Sequence, residues 1–267
     1  MEAHQKQITV YSECAEGTPV IYLPVVMGDG SEVYERCREL DCPPFALVAI
    51  GGLDWNRELS PEGAPVIYLP VVMGNGSEVY ERCRELDCPP FTLVAIGGLD
   101  WNRELSPWEC DGTIRDAELF GGQASEFLDE LLNQIIPEAE SSLPCPPTWR
   151  GIAGYSLAGL FALWALWQTD VFERAASASG SLWFPGFIDY ARERTMTATP
   201  DAAYLSLGKK ETKTPNRMMR HVLDDTRAME ELFIERDIPT TLELNPGNHF
   251  AQTDLRMARG IHWILTH

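Results

Sequence analysis

The stretch RGIAGYSLAGLFALW, residues 150–164, decides how the rest of the chain is read. Arg150–Tyr155 is short and carries small and apolar residues, as a buried strand does. Residues 157–168 are almost wholly apolar and too many for a strand, so they read as a buried helix. Between the two lies Ser156, with Gly154 two residues before it and Ala158 two after. A strand, a tight turn carrying serine and a helix make a nucleophile elbow. The turn is strained, so its neighbours must be small, and Gly159 lets the helix pack close. The serine then projects at the C-terminal edge of a sheet. The Leu157 N–H, at the helix start, can donate to an oxyanion. Ala158 stands where G-x-S-x-G has its last glycine and keeps that position small.

A serine hydroxyl is a poor nucleophile without a base. Of the five histidines, His4 and His267 sit at the ends, and His221 and His262 fall within helical patterns. His249 lies in NPGNHF, a glycine-containing loop after the last strand pattern, where such a base belongs. The acid should follow the preceding strand, AAYLSLG, and the loop KKETKT offers Glu211. Its role would be to orient the imidazole and stabilise its cation. Asp224 and Asp225 lie too far into a helix, and Asp254 follows His249 too closely.

Upstream, the chain repeats itself. Residues 19–61 and 65–107 are 43-residue copies offset by 46, differing only at Asp29/Asn75 and Ala46/Thr92. Two copies do not make a solenoid, and nothing later repeats. Each copy reads as a strand (PVIYLPVV), a helix with Ser31 or Ser77 as its cap, and a second strand (FALVAIGG or FTLVAIGG). That is the βαβ unit of a parallel sheet. One copy is enough for the fold, and the spare cannot hang in water. Val20, Ile21, Leu23, Val25, Val26, Phe45, Leu47, Val48 and Ile50 would forgo roughly 13 kcal/mol if exposed, comparable to the whole stability of a domain. The spare should therefore bury itself against the body or against a second chain, the latter giving a swapped homodimer. The matching copies also allow the sheet to take one strand from each. Copy two runs directly into the rest of the chain and is favoured for the loop after the second strand. Cys37, Cys42, Cys83 and Cys88 form C-x4-C twice, but the second pair exists only because the segment was copied, so no metal site is expected.

The second oxyanion donor is expected from the loop IGGLDWNRELSPW, at Leu99 N–H with Gly98 next, or Leu53 and Gly52 in copy one. Arg103 (or Arg57) could bind a substrate carbonyl or hydroxyl. After a polar loop from residue 109, the patterns give a helix over 123–140, a small-residue strand at RAASASGS, a helix over 216–236, a strand TTLELN and a closing helix over 257–265. Strands alternate with helices, so the class is α/β with a mainly parallel sheet, an α/β-hydrolase fold over residues 1–267 as a single domain.

The bulk numbers agree. The 267 residues are 45% apolar, enough for a real core. Formal charge is −19, from 40 acidic and 21 basic residues, which repels nucleic acid and anionic membranes and argues against strongly anionic ligands. The N-terminal MEAHQKQITVYSE lacks a signal-peptide pattern, and seven cysteines without an export signal read as reduced thiols in a cytoplasm.

RELSPW after a strand, GYSLAGLFAL, SGSLWF, LGKKETKT and GNHF come in an order that resembles the putative-esterase family of α/β-hydrolases, which includes enterochelin-esterase-like enzymes and relatives of esterase D. The resemblance covers most of the chain from Val20 onward, apart from the extra copy. It implies a catalytic Ser156, Glu211 and His249, with Trp183 near the acyl or alcohol pocket, no lid domain and no cofactor. The expected reaction is hydrolysis of a small-molecule carboxylic ester through an acyl-enzyme. The alternative is a hydrolase fold left inert because the duplicated segment displaces the oxyanion loop.

Overall fold

A computed structural model shows two compact units, Met1–Ser60 and Pro61–His267. It describes Gln7–Tyr11, Val20–Pro24 and Ala46–Gly51 as backbone, and residues 64–267 in full apart from 73, 112–118 and 144.

The described residues of the first unit form a three-stranded sheet. Its strands are β1 (Gln7–Tyr11), β2 (Val20–Pro24) and β3 (Ala46–Gly51), in the order β1-β3-β2. β2 and β3 are the two strands of copy one, parallel with Val20 opposite Ala46. β1 lies antiparallel on the other side of β3. The run QITVY, with three consecutive β-branched residues, suits that place, although the reading above gave it no strand.

The second unit opens with copy two: β4 (Val66–Pro70), α1 (Ser77–Glu85) and β5 (Thr92–Ile96), then α2 (Trp101–Glu104). Ser77 is the first helical residue, not the cap. Gly76 takes a left-handed φ of 79° before it, and Asn75 Oδ1 accepts the Ser77 N–H at 3.2 Å. The stretch expected as loop holds a short antiparallel pair, β6 (Glu109–Cys110) and β7 (Phe120–Gly121). The next helix runs as α3 (Ala124–Glu130), a π turn over Leu131–Ile135 and α4 (Ile136–Ser141). The Ile136 N–H reaches back to the Leu131 carbonyl just before Pro137, which has no N–H to give. Then come β8 (Arg150–Tyr155), α5 (Leu157–Ala165), β9 (Arg174–Ala178), α6 (Phe187–Glu193), β10 (Ala202–Gly208), α7 (Val222–Glu235), β11 (Thr240–Asn245) and α8 (Thr253–Thr266).

Six strands form one wholly parallel sheet in the order β11-β10-β9-β8-β4-β5. Strand alternation divides the core into two layers. Val66, Tyr68, Ile152, Ala175, Ala203 and Leu205 pack with α3, α5, α6 and α7. Ile67, Leu69, Ala153, Ala176 and Tyr204 pack with α1 and α8. All nine residues of α5 are buried, as an apolar run without a polar stripe requires. This is the mainly parallel α/β-hydrolase architecture. Both strands from copy two are in it, so the main sheet does not take one strand from each copy. Copy two also supplies the loop after its second strand.

The chain reverses direction across the sheet between β4 and β8. In open parallel sheets such a switch point, at the carboxyl ends of the strands, is where ligands bind. Cys83 is buried in the α1–α8 layer, while Cys37 and Cys42 lie outside the described residues. Among the described residues, no helix is long and apolar enough to cross a membrane.

Candidate active site

Ser156 follows β8 with φ 59° and ψ −119°, a region that residues with a side chain avoid. Packing holds it there. The Ser156 N–H donates to the Ala178 carbonyl at 3.1 Å, and its own carbonyl accepts the Ser181 N–H at 2.9 Å. A Cβ on Gly154 would collide with the Ala158 carbonyl. One on Gly159 would lie 2.8 Å from Ser177 Oγ and 3.0 Å from the Gly180 Cα. Small residues are therefore required on both sides, as the sequence indicates.

The structure brings Ser156, His249 and Glu211 into one line. Ser156 Oγ lies 3.0 Å from His249 Nε2, and His249 Nδ1 lies 2.8 Å from Glu211 Oε2. Burial pushes the Glu211 carboxyl upward, but hydrogen bonds from His249, Ser179 and the Gly208 N–H outweigh it and hold it below the ordinary carboxylate range. Glu211 is thus an acceptor. The His249 proton must sit on Nδ1, which leaves the Nε2 lone pair facing the Ser156 hydroxyl. Such an arrangement can draw a proton from the serine as its oxygen attacks a carbonyl.

A buried arginine, absent from the reading above, supports the acid and the base together. The Arg256 side chain, on α8, is 1% exposed. Its Nη1 donates to Glu211 Oε1 (3.1 Å), Ser179 Oγ (3.0 Å) and Tyr155 OH (3.2 Å). Its Nη2 donates to the carbonyls of Pro246 (2.8 Å) and Asn248 (3.0 Å). Tyr155 in turn donates to the His249 carbonyl at 2.7 Å. Gly208 must be glycine here, because a Cβ would come within 2.9 Å of Glu211 Oε1, the Gly247 carbonyl and Arg256 Nη2. Asp254, set aside as an acid, instead pairs with Arg82 at 2.7 Å.

A cleft of about 240 Å³ opens over Ser156. Trp183, Met219, Val222 and Phe250 give it apolar walls, while Ser181, Lys210, Lys213, Thr214 and Asn248 give it polar ones. Trp183, which the resemblance puts near the acyl or alcohol pocket, is among the residues that line this cleft. Leu99 and Arg103 do not line the cleft. Arg103 points to Asp100, 3.7 Å away, and Leu99 packs on the core. The strand order explains this: β5, which leads to Leu99, is the sheet edge, and β4 stands between it and β8. The loop that leaves the serine strand's own neighbour is residues 71–76. In that loop the Val71 N–H is taken by the Ile96 carbonyl, at 2.8 Å.

Residues 72–238, more than half of the chain, match the family described as Putative esterase. The chain belongs to this family. The matched span begins inside copy two and includes none of copy one. A relative from Bacillus subtilis, the uncharacterized protein YbbA, is 25% identical over 153 residues, 54% of this chain and 61% of that one. The chain thus spans under two thirds of this relative's length. Among solved structures, an IroE-like serine hydrolase from Shewanella oneidensis superposes with a TM-score of 0.65 at 18% identity, over 79% of this chain and 73% of the other. The siderophore hydrolase EstA from Aspergillus nidulans gives 0.59 at 22% identity, over 79% and 85%. Identities this low establish the shared fold of these family-like proteins and no more.

Proposed function

We propose that this member of the family is a serine hydrolase that cleaves a carboxylic ester through an acyl-enzyme. The observation that carries the reading is the unbroken line from Ser156 Oγ through the His249 imidazole to Glu211, with links of 3.0 and 2.8 Å. Ser156 Oγ attacks the ester carbonyl and its proton passes to His249 Nε2. The imidazolium is held by Glu211 on its far side. Nε2 then returns that proton to the departing alkoxide, and the C–O bond to the alcohol breaks. Water repeats the sequence on the acyl-enzyme, giving the free acid and regenerating the serine hydroxyl.

The tetrahedral oxygen needs two amide donors. Leu157 N–H, at the start of α5, is one, since a helix's first N–H groups have no partner within it. That β4 is the neighbour of the serine strand β8 supports a second donor from the loop after β4 rather than Leu99, with Val72 N–H as the candidate. Two structural neighbours, one a serine hydrolase and one a siderophore hydrolase, agree with this class of reaction.

The test is intact-mass labelling with a fluorophosphonate. One adduct on the folded protein, absent from a Ser156→Ala control, is expected. Ester turnover should fall by about 10⁴ or more in that control. A folded wild-type protein that takes no adduct would sink the proposal.

A further inference from the structure

We propose that the cleft binds a negatively charged group of the ester, a carboxylate or an ionised phenol, through Lys210 and Lys213. This rests on the serine-hydrolase reading and names the kind of ester it serves.

The two lysines line the cleft and are exposed. Neither forms an ion pair among the described residues, whereas Arg82, Arg150, Arg256 and Arg259 each have a carboxylate within 3.1 Å. The surrounding stretch is distinctive in charge. Residues 209–220 hold five of the chain's 21 basic residues, namely Lys209, Lys210, Lys213, Arg217 and Arg220. The stretch has a single acidic residue, Glu211, whose side chain is 5% exposed and turned inward to His249, Ser179 and Arg256. Glu211 also borders the cleft, but its carboxylate oxygens are taken by His249, Ser179, the Gly208 N–H and Arg256, and it pairs with neither lysine.

The loop is also held in place. Lys210 N–H donates to the Gly247 carbonyl (3.0 Å) and Lys213 N–H to the Lys210 carbonyl (3.1 Å). The whole-chain charge of −19 argued against anionic ligands. Exposed charges are screened beyond about 10 Å at 0.1 M salt, however, so the nearest cations set the potential in the cleft. In the same cleft, Trp183, Met219, Val222 and Phe250 offer apolar surface for the body of such an ester.

Two pairs of probes test the inference and locate the charge. p-Nitrophenyl hydrogen glutarate against p-nitrophenyl valerate places it on the acyl side. p-Carboxyphenyl valerate against p-acetylphenyl valerate places it on the alcohol side. In one pair, wild type should favour the charged member in kcat/KM. The ratio should fall about tenfold in K210Q/K213Q, recover in K210R/K213R and shrink with added salt. A ratio unchanged by K210Q/K213Q in both pairs overturns the inference.

Failure of the hydrolase reading is read separately, by absence of fluorophosphonate labelling. In that event, equilibrium binding of p-nitrophenyl hydrogen glutarate decides the anion site alone. The Ser156→Ala protein is compared with and without K210Q/K213Q. Weaker binding in the neutralised protein supports the site, and equal Kd values overturn it.

Discussion

Copies one and two are the same text at all but two positions, and they occupy different sheets. Each makes the same local object, a parallel strand pair with the same register: Val20 opposite Ala46, and Val66 opposite Thr92. They part at the next strand. In copy one the second strand of the pair, β3, accepts antiparallel β1. In copy two the first strand of the pair, β4, accepts parallel β8. Residues within 43 positions of one another therefore specify the pair, while the segments outside decide which edge is extended. Only the copy followed at once by the remaining hydrolase elements joins the large sheet.

Matched substitutions in the two copies can break or sharpen this contrast. The largest effect is expected at Tyr68, fully buried in β4 with its hydroxyl donating to Glu140 Oε1 at 2.8 Å. Tyr68→Ala should cost about 3–5 kcal/mol and lower the thermal midpoint on the order of 10 °C. Tyr22→Ala should leave the transition of residues 61–267 in place. Equal shifts in calorimetry would mean that the copies are interchangeable.

Next is Val72→Pro, which removes the proposed oxyanion donor and should lower kcat about 100-fold. Val26→Pro, its counterpart, should leave ester turnover intact. Steady-state rates that drop in the second protein and not the first would place the working loop in copy one.

A smaller effect is expected from Arg82→Ala, set against Arg36→Ala. Burial pushes Asp254 upward, but the Arg82 hydrogen bond, the Leu255 and Asp254 N–H groups and the Arg82 charge together outweigh it and hold the carboxyl below its ordinary value of 3.8. A depressed folded-state value contributes stability above the ordinary one and loses it as the pH falls. Arg82→Ala should therefore lower the midpoint slightly at neutral pH, with a gap to wild type that closes below pH 3.8. A gap that persists in acid would mean that Arg82 acts by packing alone.

Deleting residues 19–64, which joins Thr18 to Pro65 and leaves copy two whole, should change kcat/KM by less than about twofold. Loss of turnover in the folded deletion protein would mean that copy one is part of the hydrolase.

Much of the site was legible because its signals are local or ordered along the chain. The small residues around Ser156 announce a strained turn. Glu211 and His249 each sit in a short loop after a strand, in the order the motif requires. The misplaced donor shows the limit. Leu99 and Val72 both lie within three residues of the end of a strand, and only the order of strands across the sheet separates them, which no single stretch encodes. Arg256 was hidden for a related reason. It sits in an amphipathic helix, where an arginine ordinarily faces water, and its acceptors come from four separate segments. Ser77 had the composition of a cap, but the left-handed Gly76 hands that task to Asn75. The β1 strand had no hydrophobic run long enough to stand apart from the sequence around it.

The backbone at Ser156 has a consequence for how this molecule tolerates change. With φ at 59° and ψ at −119°, the residue sits where glycine rests easily and other residues do not. Replacing the serine with glycine would remove the proposed nucleophilic oxygen and relieve the turn in one step, so the variant is expected to lose ester turnover and to melt later than the wild type. At this position durability and reactivity pull in opposite directions, so selection for thermal endurance alone would discard the hydroxyl first.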